Sequence, residues 1–564
     1  MIMLKNLLVV SMLLLVLTSC DSNEIYVSPQ GNQTSPGTKS DPLSFAAGIN
    51  HISKLLKEKG LPEDGIKINV LGGVYQFDRP IVLSEEFKGT REAPIIIQAV
   101  VGENVLFDGS MLIAPEKFNT IKNKKKAPLT KLAIDKIMVA DGFLTLEGTS
   151  YVKVIGLSVK NVGSGSVYKI TGDHNLIASA KISNSTAIGV DVSGNSNRVK
   201  GCDLIDLDTH VKLDGGVRSP NEIIPGYNVV ENCHIYQKNF KHKKVNIILK
   251  GVGNTFRNNL IHNSLGQSMV VKGNDHIIEY NELFNIDLDE GDGGAIYSGA
   301  DLGGFGNIYR YNFFHHLIPI SDKVECAGLH LDDGQSGATC VGNVFYKSAS
   351  KGISMHGGAG HTLKENVFLE GDRGAYFATS LGNKIFQIQK EIKADLNHPR
   401  RGTKEDYIGR VEAYTGEKGW TKSPWKEKYP LMNTVLSDTL EFGRFWPIHY
   451  TIENNFYYNN QKSFDEIIDY RVDSIVVTKS SIKNNECVSI NDFVDYENMG
   501  FKFKNEVKYP NIPFDDIGLY IDEYRSQMPK KEHYRKAIKR FYKGISNRDS
   551  ETKERFNSAK IVEE

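Results

Sequence analysis

Ionisable residues recur at equivalent positions of successive sequence repeats, and their types suit acid–base chemistry. Most follow a short apolar run and precede a glycine. Aligned on these runs, one line of the repeat carries Asp214, Lys250, Lys272, a glycine, Asp332 or Asp333, and His356. A neighbouring line adds Asp292, and the next repeat contributes Asp372 and Arg373. Titratable groups in one stripe of a rigid sheet form a candidate active cleft, although a single Asp at a strand end is more often simply solvated.

Two carboxylates on adjacent repeats suit glycoside hydrolysis. One carboxylic acid protonates the leaving oxygen, and the other carboxylate attacks the anomeric carbon or activates a water molecule. His356 beside such a pair could hold a proton or fix a carboxylate, or it could be an ordinary surface histidine. These residues do not decide whether the anomeric configuration is retained or inverted.

A polysaccharide lyase is the rival interpretation. Lys250 or Lys272 would remove the proton next to a uronate carboxylate, and a cation such as Arg373 would neutralise that carboxylate. The basic run at residues 238–244 favours an anionic polysaccharide, although such a run is usually only a solvated surface. A non-catalytic glycan-binding protein is the third interpretation.

The repeats themselves predict the fold. Asn followed at the third position by an aromatic residue, Leu or Ile begins a phrase at Asn232, Asn258, Asn281, Asn312, Asn343 and Asn366. A period in the twenties, built from β-formers and glycine, indicates an all-β solenoid, and we predict a right-handed parallel β-helix. Equivalent residues of neighbouring turns should lie about 4.8 Å apart. The recurrent Asn side chains should stack into a ladder that satisfies the backbone at one corner.

The segments that flank and interrupt the repeats have a different character. Apolar residues near helical spacing at 42–59 predict an amphipathic helix that caps the open end of the solenoid. We divide the chain into a lipoprotein signal (1–20), a tether (21–40), a β-helix domain (41–510) with an insertion at about 381–447, and a C-terminal helical tail (511–564). In the tail, helical faces are expected at 517–524 and 530–543.

Tryptophan and cysteine positions allow two further predictions. The insertion holds all three tryptophans, and Trp420 and Trp425 would either stack on sugar rings or pack the insertion against the solenoid. Cys202 and Cys233 occupy the same register in adjacent repeats, where a pair of stacked thiols is favoured over a disulfide.

The N-terminus reads as an export signal. A basic residue and a short apolar run precede Leu-Thr-Ser-Cys20, which resembles a bacterial lipobox, with lipidation expected at Cys20. An ordinary signal peptide is the alternative. We expect an exported protein, in the periplasm or on the cell surface, that is attached to a membrane only through its lipid.

Composition narrows the ligands and partners. Lys and Arg total 68, as do Asp and Glu, so the balanced charge argues against a nucleic-acid partner. We expect a monomer without a cofactor and without a structural metal cluster. Ca²⁺ remains an alternative among Asp287, Asp289, Glu290 and Asp292, because oxygen ligands suit that ion.

Several motifs, in order, resemble glycoside hydrolase family 141. They are residues 291–297 (GDGGAIY), 331–337 (LDDGQSG), 355–358 (MHGG), 423–430 (SPWKEKYP) and 517–524 (IGLYIDEY), and the resemblance spans roughly residues 24–526. It implies a polysaccharide-degrading glycosidase, either α-L-fucosidase-like or xylan-active, whose catalytic pair falls on Asp292 and Asp333, the latter preferred over Asp332.

The register of the repeats and the tryptophans of the insertion supply the other predicted site residues. Asp332 and His356 would support catalysis, while His330, Lys272, Asp372, Arg373, Trp420 and Trp425 would contact the substrate. The chain departs from the family pattern in three places. Ser298 to Asp301 lacks an expected basic residue, His330 stands where Tyr is common, and Ala-Gly-His361 follows the His-Gly-Gly phrase. These departures leave the identity of the sugar open.

Overall fold

The computed structural model describes most of the chain between residues 23 and 530. The described ranges are 23–111, 137–138, 140–238, 245–287, 289, 292–317, 326–348, 351–378, 380–436, 447–460 and 479–530. Cys20, Glu290 and Trp446, most of the 238–244 run and residues 531–564 lie outside these ranges. The predictions that concern them therefore stay predictions.

The chain coils through three parallel faces, each built from one short strand per turn, which confirms the predicted parallel β-helix. We call them faces A, B and C, in the order in which the chain visits them. Face A is a 14-stranded sheet. Its strands are Glu24–Asn32, Ile66–Val70, Ile95–Ala99, Val152–Ile155, Leu176–Ala178, Arg198–Lys200, Val229–Glu231, Thr255–Arg257, Ile277–Glu279, Ile308–Arg310, Thr339–Val341, Thr362–Lys364, Thr451–Glu453 and Ser481–Lys483.

Faces B and C belong to one 23-stranded sheet, because two long strands, Lys181–Val192 and Asp203–Arg218, bend from one face into the other. The other strands of face B are Gly73–Gln76, Val105–Asp108, Ser158–Lys160, His234–Tyr236, Leu260–His262, Glu282–Phe284, Phe313–Leu317, Val344–Ser348, Val367–Leu369, Phe456–Tyr458 and Glu486–Cys487. The other strands of face C are Ile81–Leu83, Leu144–Leu146, Ser166–Ile170, Ile247–Gly251, Met269–Val271, Gly293–Gly299, Cys326–Asp332, Lys351–His356 and Arg373–Ala378.

Smaller elements decorate this solenoid. Ile223–Pro225 pairs with the end of Asp203–Arg218, and two-residue to four-residue strands pair as Ala140–Asp141 with Val162–Ser164, Ser110–Met111 with Ile137–Met138, and Phe493–Asp495 with Gly500–Phe503. The α-helices are Phe45–Lys59, Ser380–Ala394, Tyr407–Thr415, Trp425–Lys428 and Pro430–Val435. The 3₁₀ turns are Gly419–Thr421, Ile490–Asp492, Tyr496–Asn498 and Phe514–Asp516.

The alternation of side chains along each strand separates the core from the outer surface. On face C, Ile296, Leu329 and Ile353 stand in register on successive turns and are almost completely buried. Because strand side chains alternate, their neighbours in sequence, Tyr297 and His330, point outward. The outward positions at the ends of these strands are therefore where face C can present polar groups.

An asparagine ladder holds one corner of the solenoid, as the repeats predict. The side chain of Asn312 accepts from the backbone N–H of Asn281 at 3.1 Å and donates to Ile278 O at 2.9 Å. The same pattern continues through Asn343 and Asn366. At the first predicted phrases the register is off by one, because Asn259, not Asn258, belongs to the ladder and supports Cys233.

The N-terminal cap is confirmed. The helix Phe45–Lys59 begins after Ser44, whose hydroxyl accepts from Ala47 N, and ends at Gly60. It buries Ile49 and Ile52 against the first turns. Residues 24–32, predicted as tether, instead form the first strand of face A, because Ile25 and Val27 supply the alternating core positions that pair with Ile66–Val70.

Apart from the 3₁₀ turn Phe514–Asp516, the described part of the C-terminal tail is not helical. Residues 517–524 run in extended and turn conformations along the solenoid, so the helical face predicted there is wrong. Gly518 N donates to Tyr280 O, and Tyr520 N donates to Asn232 Oδ1. Polar contacts with the solenoid surface thus override the local apolar spacing.

The insertion packs as a helical layer over one edge of face C. Trp420 and Trp425 are 3% and 0% exposed, and the indole of Trp425 donates to Ser219 O at 2.9 Å. Buried rings cannot stack on a sugar, so the prediction that Trp420 and Trp425 bind substrate is wrong, and the packing alternative holds. Cys202 and Cys233 are buried free thiols without a disulfide. No helix in the described part of the chain is both long and apolar enough to cross a membrane.

Candidate active site

The predicted stripe of ionisable residues lies at the carboxyl ends of the face C strands. Asp214 pairs in register with Lys250, and Leu249 pairs with Val271, which puts Lys272 on the next rung. Gly299 pairs with Asp332, and Leu331 pairs with Met355, which brings His356 beside Asp332. Of the two aspartates that the sequence offers for this line, Asp332 occupies it.

Asp332 is the most strongly held carboxylate of the stripe. It accepts from the Tyr297 hydroxyl at 2.9 Å and contacts His356 Nδ1 at 2.9 Å, while His330 Nε2 lies at 3.6 Å. Burial opposes ionisation of Asp332, but the hydrogen bond with His356 and the two imidazoles outweigh it and lower its pKa to about 2. Asp332 is therefore a fixed negative charge across the physiological pH range.

A glycine makes the Tyr297 contact feasible. A Cβ atom at Gly299 would lie only 2.5 Å from the Tyr297 hydroxyl oxygen, so the ring occupies the space that a side chain would need. Burial and the charge of Asp332 raise the pKa of Tyr297, which keeps its hydroxyl protonated as a donor. Gly299, the glycine of the stripe, thus leaves the space that the contact between Tyr297 and Asp332 requires.

Asp333 follows directly in sequence but has a different environment. Its φ of 47° places it in the left-handed region, which turns the chain out of the strand. Burial, together with the charges of Asp332 and Asp292, raises the pKa of Asp333 from 3.8 to about 6. A carboxyl group with this pKa carries a proton in a substantial fraction of molecules near neutral pH.

Asp292 completes the cluster from the preceding turn. It is exposed and comes immediately before the strand Gly293–Gly299. Side-chain ligand atoms of Asp292, His330 and Asp332 lie within 4.8 Å of one another. The carboxylates that the sequence places on adjacent turns are therefore brought together in space.

The side chain of His330 lies close to both Asp292 and Asp332. It is 8% exposed, and its Nδ1 lies 3.2 Å from Gly293 O. Burial lowers the pKa of His330, so the neutral imidazole is favoured.

Two overlapping sets of side chains have the spacing of metal ligands. They are Asp292, His330 and Asp332, and Asp332, Asp333 and His356. Both mix imidazole with carboxylate, whereas Ca²⁺ prefers oxygen ligands alone. Asp287, from the predicted Ca²⁺ set, is completely buried and belongs to neither set. The Ca²⁺ alternative stays a prediction.

A cleft of about 440 Å³ lies along the stripe on the turns that precede the aspartate cluster. The charge of Asp333 acts on Lys272 and Tyr407 in the lining of this cleft. Face C forms one wall with Asp214, Lys250 and Lys272, and the helix Tyr407–Thr415 of the insertion forms the other. From that helix, Tyr407 and Arg410 face the cleft, and the charges of both Asp333 and Arg410 act on the buried Tyr407. The insertion thus closes a surface stripe into a pocket of a size that suits small ligands.

A buried ion pair fixes the insertion in this position. Asp301 accepts from Arg218 and from the Tyr414 hydroxyl, both at 2.9 Å, and from Gly273 N at 3.1 Å. The Arg218 guanidinium lies 3.5 Å from the centre of the Tyr414 ring. Burial opposes ionisation of Asp301, but the charge of Arg218 and these hydrogen bonds lower its pKa.

Asp372 and Arg373 are not brought into the cluster. Arg373 pairs in register with Lys351 at the start of its strand, whereas the residue equivalent to His356 is Ala378 at the other end. The carboxylate of Asp372 lies 3.7 Å from Arg373 Nε. Both therefore lie at the opposite end of face C from Asp332 and His356, and their binding of substrate stays a prediction.

Sequence reasoning missed the residues that come from outside the repeat register. Tyr297 stands inside the GDGGAIY motif, but its contact with Asp332 depends on the open space at Gly299. Tyr407 and Arg410 lie in the insertion, for which no repeat predicts a position.

Comparison with known proteins supports the fold. No protein-family model matches the sequence, and no curated protein matches it either. Among solved structures, a PL6 family polysaccharide lyase from Pseudopedobacter saltans is similar over 88% of this chain and 99% of its own, with 14% identity and a TM-score of 0.50. The complex of XylC with xylose is similar over 82% of this chain and 86% of its own, with 12% identity and a TM-score of 0.47. A chain described as a glycoside hydrolase is similar over 63% of this chain and 96% of its own, with 11% identity and a TM-score of 0.43. The structural neighbours are thus carbohydrate-active enzymes of two reaction classes, and the likeness shows the β-helix.

Proposed function

We propose that this protein is a glycoside hydrolase that cleaves a polysaccharide with the carboxylates of Asp292, Asp332 and Asp333. The observation that carries the proposal is the divergence of two neighbouring carboxyl groups, one with a pKa of about 2 and one with a pKa of about 6. Glycoside hydrolysis needs a protonated acid beside an ionised carboxylate, and environments that separate the two pKa values assign these roles.

Each carboxylate has a role in this proposal. Asp333 is the general acid that protonates the glycosidic oxygen. Asp292, exposed at the edge of the cluster, is the base or nucleophile on the other side of the sugar. Asp332 stays ionised and stabilises the positive charge that develops at the anomeric carbon. His356 and Tyr297 position Asp332, and His330 lies between Asp332 and Asp292.

The resemblance to glycoside hydrolase family 141 supports the same reaction class and proposes α-L-fucosidase-like or xylan-active specificity. The aspartates of its motifs, Asp292 and Asp333, lie in the cluster described above. The predicted export signal and Cys20 lipidation agree with a substrate met outside the cytoplasm. We propose that the enzyme acts there as a lipid-tethered monomer.

The test is hydrolysis of plant and algal polysaccharides by the purified protein. Asp333→Asn and Asp292→Asn should each lower the release of reducing ends by roughly 10²–10⁴-fold, the usual contribution of a catalytic acid or base. Asp495→Asn, at the exposed end of the strand Phe493–Asp495, is the matched control and should retain activity. Glycan binding without turnover by the unsubstituted protein would favour the non-catalytic alternative.

A polysaccharide lyase is the second candidate, and Lys272 is the residue that favours it. Burial and the charges of Arg410 and Lys250 lower the pKa of Lys272, the direction that a general base needs. Elimination would leave an unsaturated uronate that absorbs near about 235 nm, as base-catalysed removal of the α proton requires. Hydrolysis leaves no such chromophore, so the products separate the two candidates.

A further inference from the structure

The end of the cleft away from the aspartates is lined by cations. Lys250 and Lys272 occupy consecutive rungs of face C, with backbones about 4.8 Å apart. Arg410 enters the same cleft from the insertion helix. The stripe therefore has an acidic end at Asp332 and Asp333 and, two and three rungs earlier, a basic end at Lys272 and Lys250, and this basic end lines the cleft.

The carboxylates near these cations offset their charge only in part, since the charges of Asp301 and Asp333 act on Lys272 without forming an ion pair with it. Asp301 lines the cleft, but its oxygens are taken by Arg218, Tyr414 and Gly273 N. Asp214 is the neighbour of Lys250 in register on the preceding rung. Within the described residues, no carboxylate oxygen lies within 4.0 Å of the ammonium nitrogen of Lys250 or of Lys272.

Gathering like charges in a partly enclosed cleft is unfavourable without a counterion. Lys272 is half-buried, and burial together with the charges of Arg410 and Lys250 lowers its pKa, although the charges of Asp301 and Asp333 oppose this. Lysine and arginine side chains that converge without carboxylate partners form a site complementary to an anionic group. The Arg410 guanidinium lies 5.9 Å from the centre of the Tyr407 ring and donates one hydrogen bond, to Lys404 O at 3.0 Å, which uses only one of its donors.

We propose that this basic end binds a carboxylate or sulfate group on a sugar unit next to the one that is cleaved, so that the substrate is an anionic glycan. The inference rests on the proposed hydrolase function of the same cleft. Lys272 and Asp332 are separated by the rung of Gly299, which corresponds to about 10 Å along the solenoid axis. The anionic unit therefore lies beyond the sugar held at the aspartates, and the glycan runs along the solenoid.

The experiment measures binding separately from turnover. In an Asp333→Asn background, isothermal titration calorimetry follows binding of three probes: oligogalacturonate, a sulfated galactan oligosaccharide and xylotetraose. We expect at least one anionic probe to bind, and Lys272→Gln with Lys250→Gln to weaken that binding by about tenfold or more, as expected for lost charged hydrogen bonds. Binding of the neutral probe should change less than about twofold.

Lys153→Gln is the matched control, because Lys153 lies on face A outside the cleft. The outcome that overturns the proposal is equal binding of all three probes, no binding of either anionic probe, or an equal loss in the Lys153→Gln protein. A preference between oligogalacturonate and the sulfated probe identifies the anion. Failure of the hydrolase proposal is a separate result, since it appears as absent turnover by the unsubstituted protein while the charge-dependent binding remains.

Discussion

Asp332 and Asp333 are joined by one peptide bond, yet their surroundings move their pKa values in opposite directions. Asp332 ends a strand and faces Tyr297 and His356, which both stabilise its anion. Asp333 turns away at a positive φ, and burial together with the charges of Asp332 and Asp292 raises its pKa. A single backbone rotation thus gives two carboxyl groups different protonation states.

The pH dependence of activity follows from this difference. In the proposed hydrolase, Asp333 is the general acid and must be protonated, so kcat/KM should fall as the pH rises through about 6. Asp332 should remain ionised down to a pH of about 2. The measurement is a pH–rate profile on the polysaccharide identified by screening, and constant kcat/KM between about pH 5 and 8 would contradict the assigned role.

Asp333 should also affect stability in a pH-dependent way. Its pKa is raised from 3.8 to about 6, so the folded protein binds more protons than the unfolded chain between these values, and stability falls as the pH rises through that window. Asp333→Asn removes the charge and keeps a residue that tolerates positive φ. We expect its unfolding temperature to exceed that of the unsubstituted protein at pH 8, with a smaller difference at pH 4. An equal difference at both pH values would contradict the raised pKa.

At the scale of the elements, the asparagine ladder is the device that keeps the turns in register. Asn312 is fully buried and links Asn281, Ile278 and Asn343 through its amide. Each contact satisfies a backbone or amide group that water cannot reach.

Asn312→Ala should therefore destabilise the protein by roughly 2–4 kcal/mol, because several buried polar groups lose their partners. The measurement is the midpoint of chemical denaturation. Asn498→Ala, at an exposed position, is the control and should leave the midpoint within error. A similar midpoint for Asn312→Ala would show that the ladder contributes little to stability.

The stripe could be predicted from sequence because strands have a period of two residues and turns stack at a constant spacing. That regularity predicts one line with Asp214, Lys250, Lys272, His356 and either Asp332 or Asp333, and the structure selects Asp332. It failed where Asn258 and Asn259 stand side by side, since either fits the phrase and only the ladder contacts select Asn259.

The insertion and the tail could not be predicted in the same way. Tyr407 and Arg410 reach the cleft through the packing of Trp425 and the Arg218–Asp301 pair, which connect residues far apart in sequence. Residues 517–524 have helical apolar spacing, but backbone and side-chain contacts with the solenoid hold them extended. In both cases tertiary contacts, which no local pattern contains, decide the structure.

At the scale of the whole molecule, the solenoid depends on protection of its open end. The helix Phe45–Lys59 covers the first turns, where the Phe45 ring lies 4.9 Å from that of Phe107, centroid to centroid. Ile52 is completely buried beneath this helix.

Ile52→Lys should place a charge in that apolar contact, detach the cap and expose sheet edges that promote association. We expect a loss of soluble monomer, measured by size-exclusion chromatography with light scattering. Lys54→Gln, on the exposed side of the same helix, should elute unchanged. Monomeric Ile52→Lys protein would show that the cap is dispensable.

The side chains of the aspartate cluster come from separate coils: Asp292 from one, Asp332 and Asp333 from the next, and His356 from the one after. Inserting a single complete coil between two of them would preserve the ladder and the apolar interior, while separating the members of the aspartate cluster by one further repeat. Such a protein would fold normally and be chemically inert. In this architecture, a single gene rearrangement that adds a coil can abolish activity in a protein that still folds.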